Sequence, residues 1–210
     1  MYERVIKRAI DVILAALTLL CFSWLFLLLS LAILIDDPGP VLFAQKRFGR
    51  GKTFFQLHKF RSMKRSAPHD VPTHLFQDPA QYITRVGKFL RKSSLDELPQ
   101  FWDILIGKMS LVGPRPALWN QEDLIEARDA NGSNDLRPGL TGWAQINGRD
   151  ELSIADKSAL DGVYAEAMRK GGWTAFRMDL KCFFGTFLPL ASGRGVVEGG
   201  LENSGETLKR

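Results

Sequence analysis

The chain has 210 residues, 28 Lys/Arg against 23 Asp/Glu, a formal net charge of +5 and an apolar share of 45%. That length holds one ordinary domain plus an anchor, or two small domains. The two cysteines, Cys21 in an apolar run and Cys182 in a Phe-rich segment, exclude a disulfide framework.

Both apolarity and charge are unevenly placed. From Val12 to Ile35 no residue is charged, and Thr18, Ser23 and Ser30 alone are polar. As one helix this run would be about 36 Å long, enough to cross a hydrocarbon core of about 30 Å with tilt. Arg4, Lys7 and Arg8 resemble the start of a signal peptide, but the run is too long and no small-residue cleavage site precedes Asp36. Basic residues flank both ends, so the charge rule for orientation picks no side. A plain spanning helix and a hairpin that leaves on the face it entered both remain open. The hairpin needs a break, for which Ser23 is the one candidate. Lys7, Arg8 and Asp11 share a helix face, which suits either an interfacial ion pair or a lipid phosphate.

The sequence Asp36-Asp37-Pro38-Gly39-Pro40 reads as the turn that ends the helix. Val41–Gln45 and Thr53–Leu57 read as short strands joined by a basic, Gly-containing turn. Between Lys46 and Lys92 twelve Lys/Arg face two acids, Asp70 and Asp78, which implies an anionic partner. His58, Lys59 and Arg61 close the second strand, and no second His or Cys at metal spacing accompanies His58. Ser66 to Asp78 reads as a loop, and Ile83 to Lys92 as a helix with a basic face bearing Arg91.

The stretch from Arg91 to Pro116 carries the strongest local chemistry. Ser94-Leu95-Asp96-Glu97 fits a capping box, with Pro99 inside the first turn of the helix it would open. Asp96 and Glu97 would point about 100° apart, so they cannot act as a facing acid pair. One could attack a phosphorus while the other holds a metal; plain capping remains the alternative. Arg115 stands between Pro114 and Pro116, which limit where its guanidinium points, and arginine favours phosphate. Ala117 to Ala130 reads as a charged helix. Arg137 to Trp143 is a glycine-rich loop whose Arg137 and glycines suit either a phosphate or a structural turn. Asn147-Gly148-Arg149 is a turn, and Ile154 to Lys170 a helix with Asp161 and Tyr164. Trp173 to Leu190 suits a helix lying on anionic lipid or packed in a core.

Five blocks in this order resemble the bacterial sugar transferase family, the monotopic polyprenyl-phosphate phosphoglycosyl transferases. They are Lys7-Arg8 with Asp11, the Lys59 to Met63 block, the Ser94 to Gln100 block, the Gly113 to Pro116 block and the Arg137 to Arg149 block. The resemblance implies transfer of a sugar-1-phosphate from a UDP-sugar to polyprenyl (undecaprenyl) phosphate with release of UMP. It implies Asp96 as nucleophile, forming a phospho-sugar enzyme intermediate, and Glu97 as ligand of Mg²⁺. Arg115 would bind phosphate, with Arg91, Arg149, Arg137, Lys59, Lys7 and Arg8 as further anion contacts. Phosphoryl transfer needs neutralised charge and in-line placement more than proton shuttling, which agrees with arginines and a metal. In the family a Ser-Pro pair breaks the membrane helix; here Trp24 follows Ser23.

The resulting expectation is a mostly helical α+β fold: a re-entrant membrane helix over residues 1–37, bent near Ser23. An interfacial catalytic domain with a short β-hairpin follows over 38–191, then a flexible tail over 192–210. The partners expected are UDP-sugar, polyprenyl phosphate and anionic membrane lipids, with no nucleic acid and with a homodimer left open. The location expected is the cytoplasmic face of a bacterial inner membrane. Two other classes compete: a membrane-tethered binder of nucleic acid or anionic lipid, and a metal-dependent nucleotide-sugar pyrophosphatase.

Overall fold

The computed structural model describes residues 2–67, 79–148 and 152–192. It is mostly helical, with one antiparallel hairpin and one short parallel strand pair. A π-helical turn, Tyr2–Ile6, runs into α1 (Lys7–Cys21), and α2 (Ser23–Asp36) follows at 61° to it. The uncharged run is therefore two helices, and the single straight helix is excluded. The break is local and polar. Phe22 leaves helical geometry at φ −100°, ψ 9°, while Ser23 Oγ donates to the Leu20 carbonyl at 2.9 Å. Packing holds the bend, because each arm lies on a different part of the domain. Ala15 of α1 is buried in the main core, whereas Leu29 and Ile33 of α2 pack with Phe60 and Leu90. No single helix among the described residues is long and apolar enough to cross a membrane; the bent pair together has the length and composition. Its outward side chains are apolar: Leu20, Trp24, Leu27 and Ile35 are all exposed.

The expected turn at Asp36–Pro40 ends α2, and its acids have structural partners. Arg61 grips the side chain and carbonyl of Asp37. Asp36 Oδ2 accepts from Val86 N at 2.8 Å, at the start of α3 (Arg85–Ser93). The hairpin strands are β1 (Leu42–Phe48) and β2 (Phe54–Phe60), about three residues longer at their ends than the sequence suggested, with Leu42 opposite Phe60. Alternation along β2 buries Phe55 and Leu57 and puts Lys59 on their face. That face meets the site.

The capping box does not form. Ser94 instead terminates α3 in the left-handed region (φ 56°), its N–H returning to the Arg91 carbonyl at 3.2 Å. A residue closing one helix in that conformation lacks the extended geometry an N-cap needs. Leu95–Glu97 forms a 3₁₀ turn, and α4 (Gln100–Leu105) begins after Pro99. The expected helix from Ala117 shortens to α5 (Glu122–Asp129), because Phe48 N bonds the Ala117 carbonyl and Leu118 bridges Arg47, holding this segment extended on the hairpin. α6 (Trp143–Ile146) is a single turn. α7 (Ile154–Lys170) has the bounds read from sequence, and Gly171 (φ 67°) separates it from α8 (Gly172–Ser192).

Two short strands escaped the sequence. β3 (Ser110–Val112) pairs in parallel with β4 (Gly139–Thr141), so part of the glycine-rich stretch is strand. Its glycines serve backbone approach: a Cβ on Gly139 would sit 2.1 Å from Gly113 N and 2.4 Å from Thr141 O. The loop from Ser66 to Asp78 and the tail beyond Ser192 lie largely outside the described residues. Both atoms facing Gly139 are main chain and cannot rotate away. Gly139→Ala should therefore cost at least about 3 kcal/mol, measured by chemical denaturation, at the upper end of overpacking effects. A loss below about 1 kcal/mol would mean that the strand pair is loose.

Candidate active site

Lys59, Arg91, Asp96, Glu97 and Arg115 come together from four separate segments. Strand alternation brings Lys59 from β2. Its Nζ donates to Glu97 Oε1 at 2.7 Å and lies 3.9 Å from Asp96 Oδ2. Adjacent carboxylates that should diverge on a helix therefore reach one ammonium from the tight turn. Arg115, from the loop after β3, approaches Glu97 Oε1 through Nη2 at 3.4 Å. Arg91 is turned by Ser62, whose Oγ accepts from Nε at 2.9 Å. α3 can lie that close because Gly87 presents no side chain: a Cβ there would overlap the Ser62 carbonyl at 1.9 Å.

The surroundings push the two carboxyls in opposite directions. Burial pushes Asp96 above its ordinary range and the charge of Glu97 adds to this, while Lys59 works against both. Burial also disfavours the Glu97 charge, but Lys59 and Arg115 outweigh it and hold that carboxyl well below the usual range. Glu97 is thus the fixed anion of the pair, and Asp96 the one whose charge is least satisfied. Among the described residues no group of three or more His, Cys, Asp or Glu is placed to hold a metal. Two adjacent carboxylates are nonetheless the protein share that Mg²⁺ takes when phosphate oxygens and water complete its shell.

Three other candidates lie elsewhere. Lys7 is buried and paired with Asp179 at 2.8 Å, and Tyr2 and Tyr164 hydroxyls donate to the same carboxylate at 2.7 Å each. Asp11 accepts from Ser110 Oγ at 2.8 Å and Leu111 N at 3.0 Å. Arg8 donates to the Ile104 and Leu105 carbonyls, closing the C-terminus of α4 as cations do. Arg137 Nε donates to the Gly107 carbonyl at 3.2 Å and faces the same cavity as Lys7 and Asp11. These groups fasten the N-terminal helix to α4, β3 and α8. Arg149 lies outside the described residues.

A supporting residue was missed. Arg47 of β1 donates from Nη1 to the Pro116 carbonyl at 3.0 Å and from Nη2 to Gln45 Oε1 at 2.6 Å. Alternation along β1 was the available signal, since Gln45 and Arg47 share the face of Leu57 and Lys59.

The family model for the bacterial sugar transferases matches residues 2–193. The chain belongs to the bacterial sugar transferase family. It is 45% identical over 160 residues to a UDP-glucose:undecaprenyl-phosphate glucose-1-phosphate transferase of Escherichia coli (strain K12), covering 74% of this chain and 34% of that protein. The chain thus spans about a third of the length of that relative. Over 195 residues it is 36% identical to the uncharacterized sugar transferase EpsL of Bacillus subtilis (strain 168), covering 92% of this chain and 91% of that one. Similarity to the exopolysaccharide production protein ExoY of Rhizobium meliloti (strain 1021) is 37% over 205 residues, covering 90% and 87%. All five clustered residues lie within the matched span.

The Lys7–Asp179 pair makes a separable claim about stability. Lys7→Met leaves Asp179 buried with hydroxyl partners and no cation, which should cost about 3–5 kcal/mol in chemical denaturation. A cost under about 1 kcal/mol would show that the pair is solvated.

Proposed function

We propose that the chain transfers a sugar-1-phosphate from a UDP-sugar to polyprenyl phosphate, releasing UMP, at the cytoplasmic face of a bacterial inner membrane. The observation that carries this reading is the adjacent pair of buried Asp96 and half-buried Glu97 gathered under Lys59 and Arg115 in a chain of this family. Relatives named as UDP-sugar:undecaprenyl-phosphate transferases support the substrate classes.

In the proposed route an Asp96 carboxylate oxygen attacks the β-phosphorus, and the bond from that phosphorus to the oxygen bridging to the α-phosphate breaks. UMP leaves with the electron pair, and the sugar phosphate stays on Asp96. A phosphate oxygen of the polyprenyl acceptor then attacks the same phosphorus and frees the carboxylate. Asp96 suits the nucleophile because its charge is incompletely matched, whereas Glu97 is already held by two cations. Arg115 offers a planar fork to phosphate oxygens, and Lys59 and Arg91 add charge that limits repulsion between an anionic nucleophile and an anionic substrate. Glu97 would hold Mg²⁺, which when bound neutralises diphosphate charge and assists the leaving phosphate.

Asp96→Asn keeps the side-chain size but removes the attacking oxyanion, so turnover should fall by at least about a thousandfold while melting changes by no more than about 1–2 kcal/mol. With the wild-type chain, UDP-sugar alone should release about one UMP per enzyme before acceptor is added. Intact mass should then show a sugar phosphate on a peptide containing Asp96. Normal steady-state turnover without burst or adduct would indicate direct transfer instead. UMP release that continues without acceptor would indicate a pyrophosphatase.

The same reading has the bent pair enter and leave the membrane on one face, with anionic lipid headgroups near the basic flanks. The 61° bend and the exposed apolar side chains support it. In a Cys21→Ser background, Arg4→Cys should resist a membrane-impermeant thiol reagent added outside intact cells and react in inverted vesicles. Labelling from outside would establish a spanning arrangement.

A further inference from the structure

Arg115 depends on a loop that has few ways of being held. Pro114 and Pro116 have no N–H, so carbonyls are what the backbone there can offer. Four consecutive carbonyls are taken by four different donors. Pro114 O accepts from Gly139 N at 2.9 Å, Arg115 O from Arg128 Nη1 at 3.0 Å, Pro116 O from Arg47 Nη1 at 3.0 Å, and Ala117 O from Phe48 N at 2.9 Å. The bond to the carbonyl of Arg115 itself comes from Arg128 in α5.

Arg128 is itself anchored. Its Nε and Nη2 both donate to Asp161 Oδ2, at 2.8 and 2.6 Å, and both residues are buried. Asp161 sits on α7 where that helix meets the end of α5. Asn131 Nδ2 bonds the Ser158 carbonyl at 2.7 Å, and Gly162 leaves just enough room for the Asn131 side chain. The ion pair is not ideal for stability alone. Both donors converge on one carboxylate oxygen, while Asp161 Oδ1 has no hydrogen-bond partner among the described residues. Burial raises the Asp161 carboxyl above its usual range even with Arg128 beside it. A pair that leaves a buried oxygen unsatisfied, yet gives a third N–H to the backbone of the loop that carries Arg115, is arranged for placement.

We propose that Arg128, braced by Asp161, is a positioning residue that sets the Arg115 guanidinium against the diphosphate of the UDP-sugar. The line runs from α7 through Asp161 and Arg128 to the Arg115 carbonyl, and from Arg115 Nη2 to Glu97. Arg128 is buried and touches no reacting atom. This inference rests on the phosphate-binding reading of Arg115 given above.

The test separates placement from stability. Removing Arg128 alone strands a buried carboxylate and endangers the fold, so the pair is replaced together as Arg128→Met/Asp161→Leu. Substituting apolar side chains for a buried ion pair is often neutral or stabilising. Melting temperature, kcat/KM for UMP release and the dissociation constant of UMP are measured on the full chain. The expected result is unchanged or higher melting with kcat/KM lower by about ten- to a hundredfold, the scale of a misplaced binding group. UMP binding should weaken in parallel. In an Arg115→Lys background the same pair replacement should change kcat/KM by less than about threefold, since the group being placed is already gone. The proposal is overturned if the folded pair variant keeps kcat/KM within about twofold, or if its loss multiplies in full with that of Arg115→Lys. Should Arg115→Lys itself leave kcat/KM and UMP affinity intact, the phosphate-binding reading of Arg115 fails first.

Discussion

Two neighbouring carboxylates held largely away from water, Asp96 more than Glu97, are the constraint that the rest of this structure answers. Each would resist losing its hydration, and each raises the cost of ionising the other. Asp96 and Glu97 stay in place because Lys59, Arg91 and Arg115 reach them from β2, α3 and the loop after β3. None of these segments could supply all three cations. The hairpin register, the close seat of α3 on Ser62 and the parallel β3–β4 pair therefore act together: each delivers one cation to the turn between α3 and α4. A change that loosens any of them alters the balance of charge at Asp96 without touching it.

The N-terminal helices obey a related logic. Lys7, Asp11 and Arg8 are polar groups on the first helix, and the structure uses all three inward, on Asp179, on the start of β3 and on the end of α4. Ile13, Leu17 and Leu20 on the same helix point outward. This reverses the usual arrangement of a surface helix and explains how a bent apolar pair and a charged domain form one body. Rigid attachment matters for the proposed chemistry, because a lipid-borne acceptor phosphate reaches Asp96 only if that turn keeps a fixed height above the headgroups.

Much of the site was legible because its chemistry lies in unusual local patterns. Adjacent acids near a proline, an arginine between two prolines and a dense basic block mark Asp96, Glu97, Arg115 and Lys59 in the sequence. Elements with strong periodicity were also clear, α7 to the residue. What failed were readings that depend on distant partners. The capping-box pattern was present, but Ser94 had already been used to close α3, and the Glu97 side chain was drawn to Lys59 and Arg115 rather than back to Ser94. The strand β4 was hidden because three residues carry no periodicity and its glycines read as a loop. Nothing in the local sequence says that the space beside Gly139 is filled by the backbone at Gly113. For Lys7, Arg8 and Arg137 a sequence shows the charge without its structural partners, Asp179 lying 172 residues from Lys7 and the carbonyls of Ile104 and Gly107 being as little visible.

The same lesson decides how the arginines of this chain should be sorted. By type, Arg8, Arg47, Arg115, Arg128 and Arg137 are equivalent candidates for phosphate. Their donors are spent differently. Arg8, Arg47, Arg128 and Arg137 each give N–H groups to main-chain carbonyls, which are neutral acceptors that a rigid fork meets at a fixed angle. Arg115 alone of these five faces the carboxylate turn with a side chain about half exposed, at 46%. A guanidinium that binds carbonyls shapes backbone, whereas that of Arg115 reaches the Glu97 carboxylate and keeps part of its surface in water. Four of these five arginines hold backbone in place, and the fifth reaches the carboxylate turn.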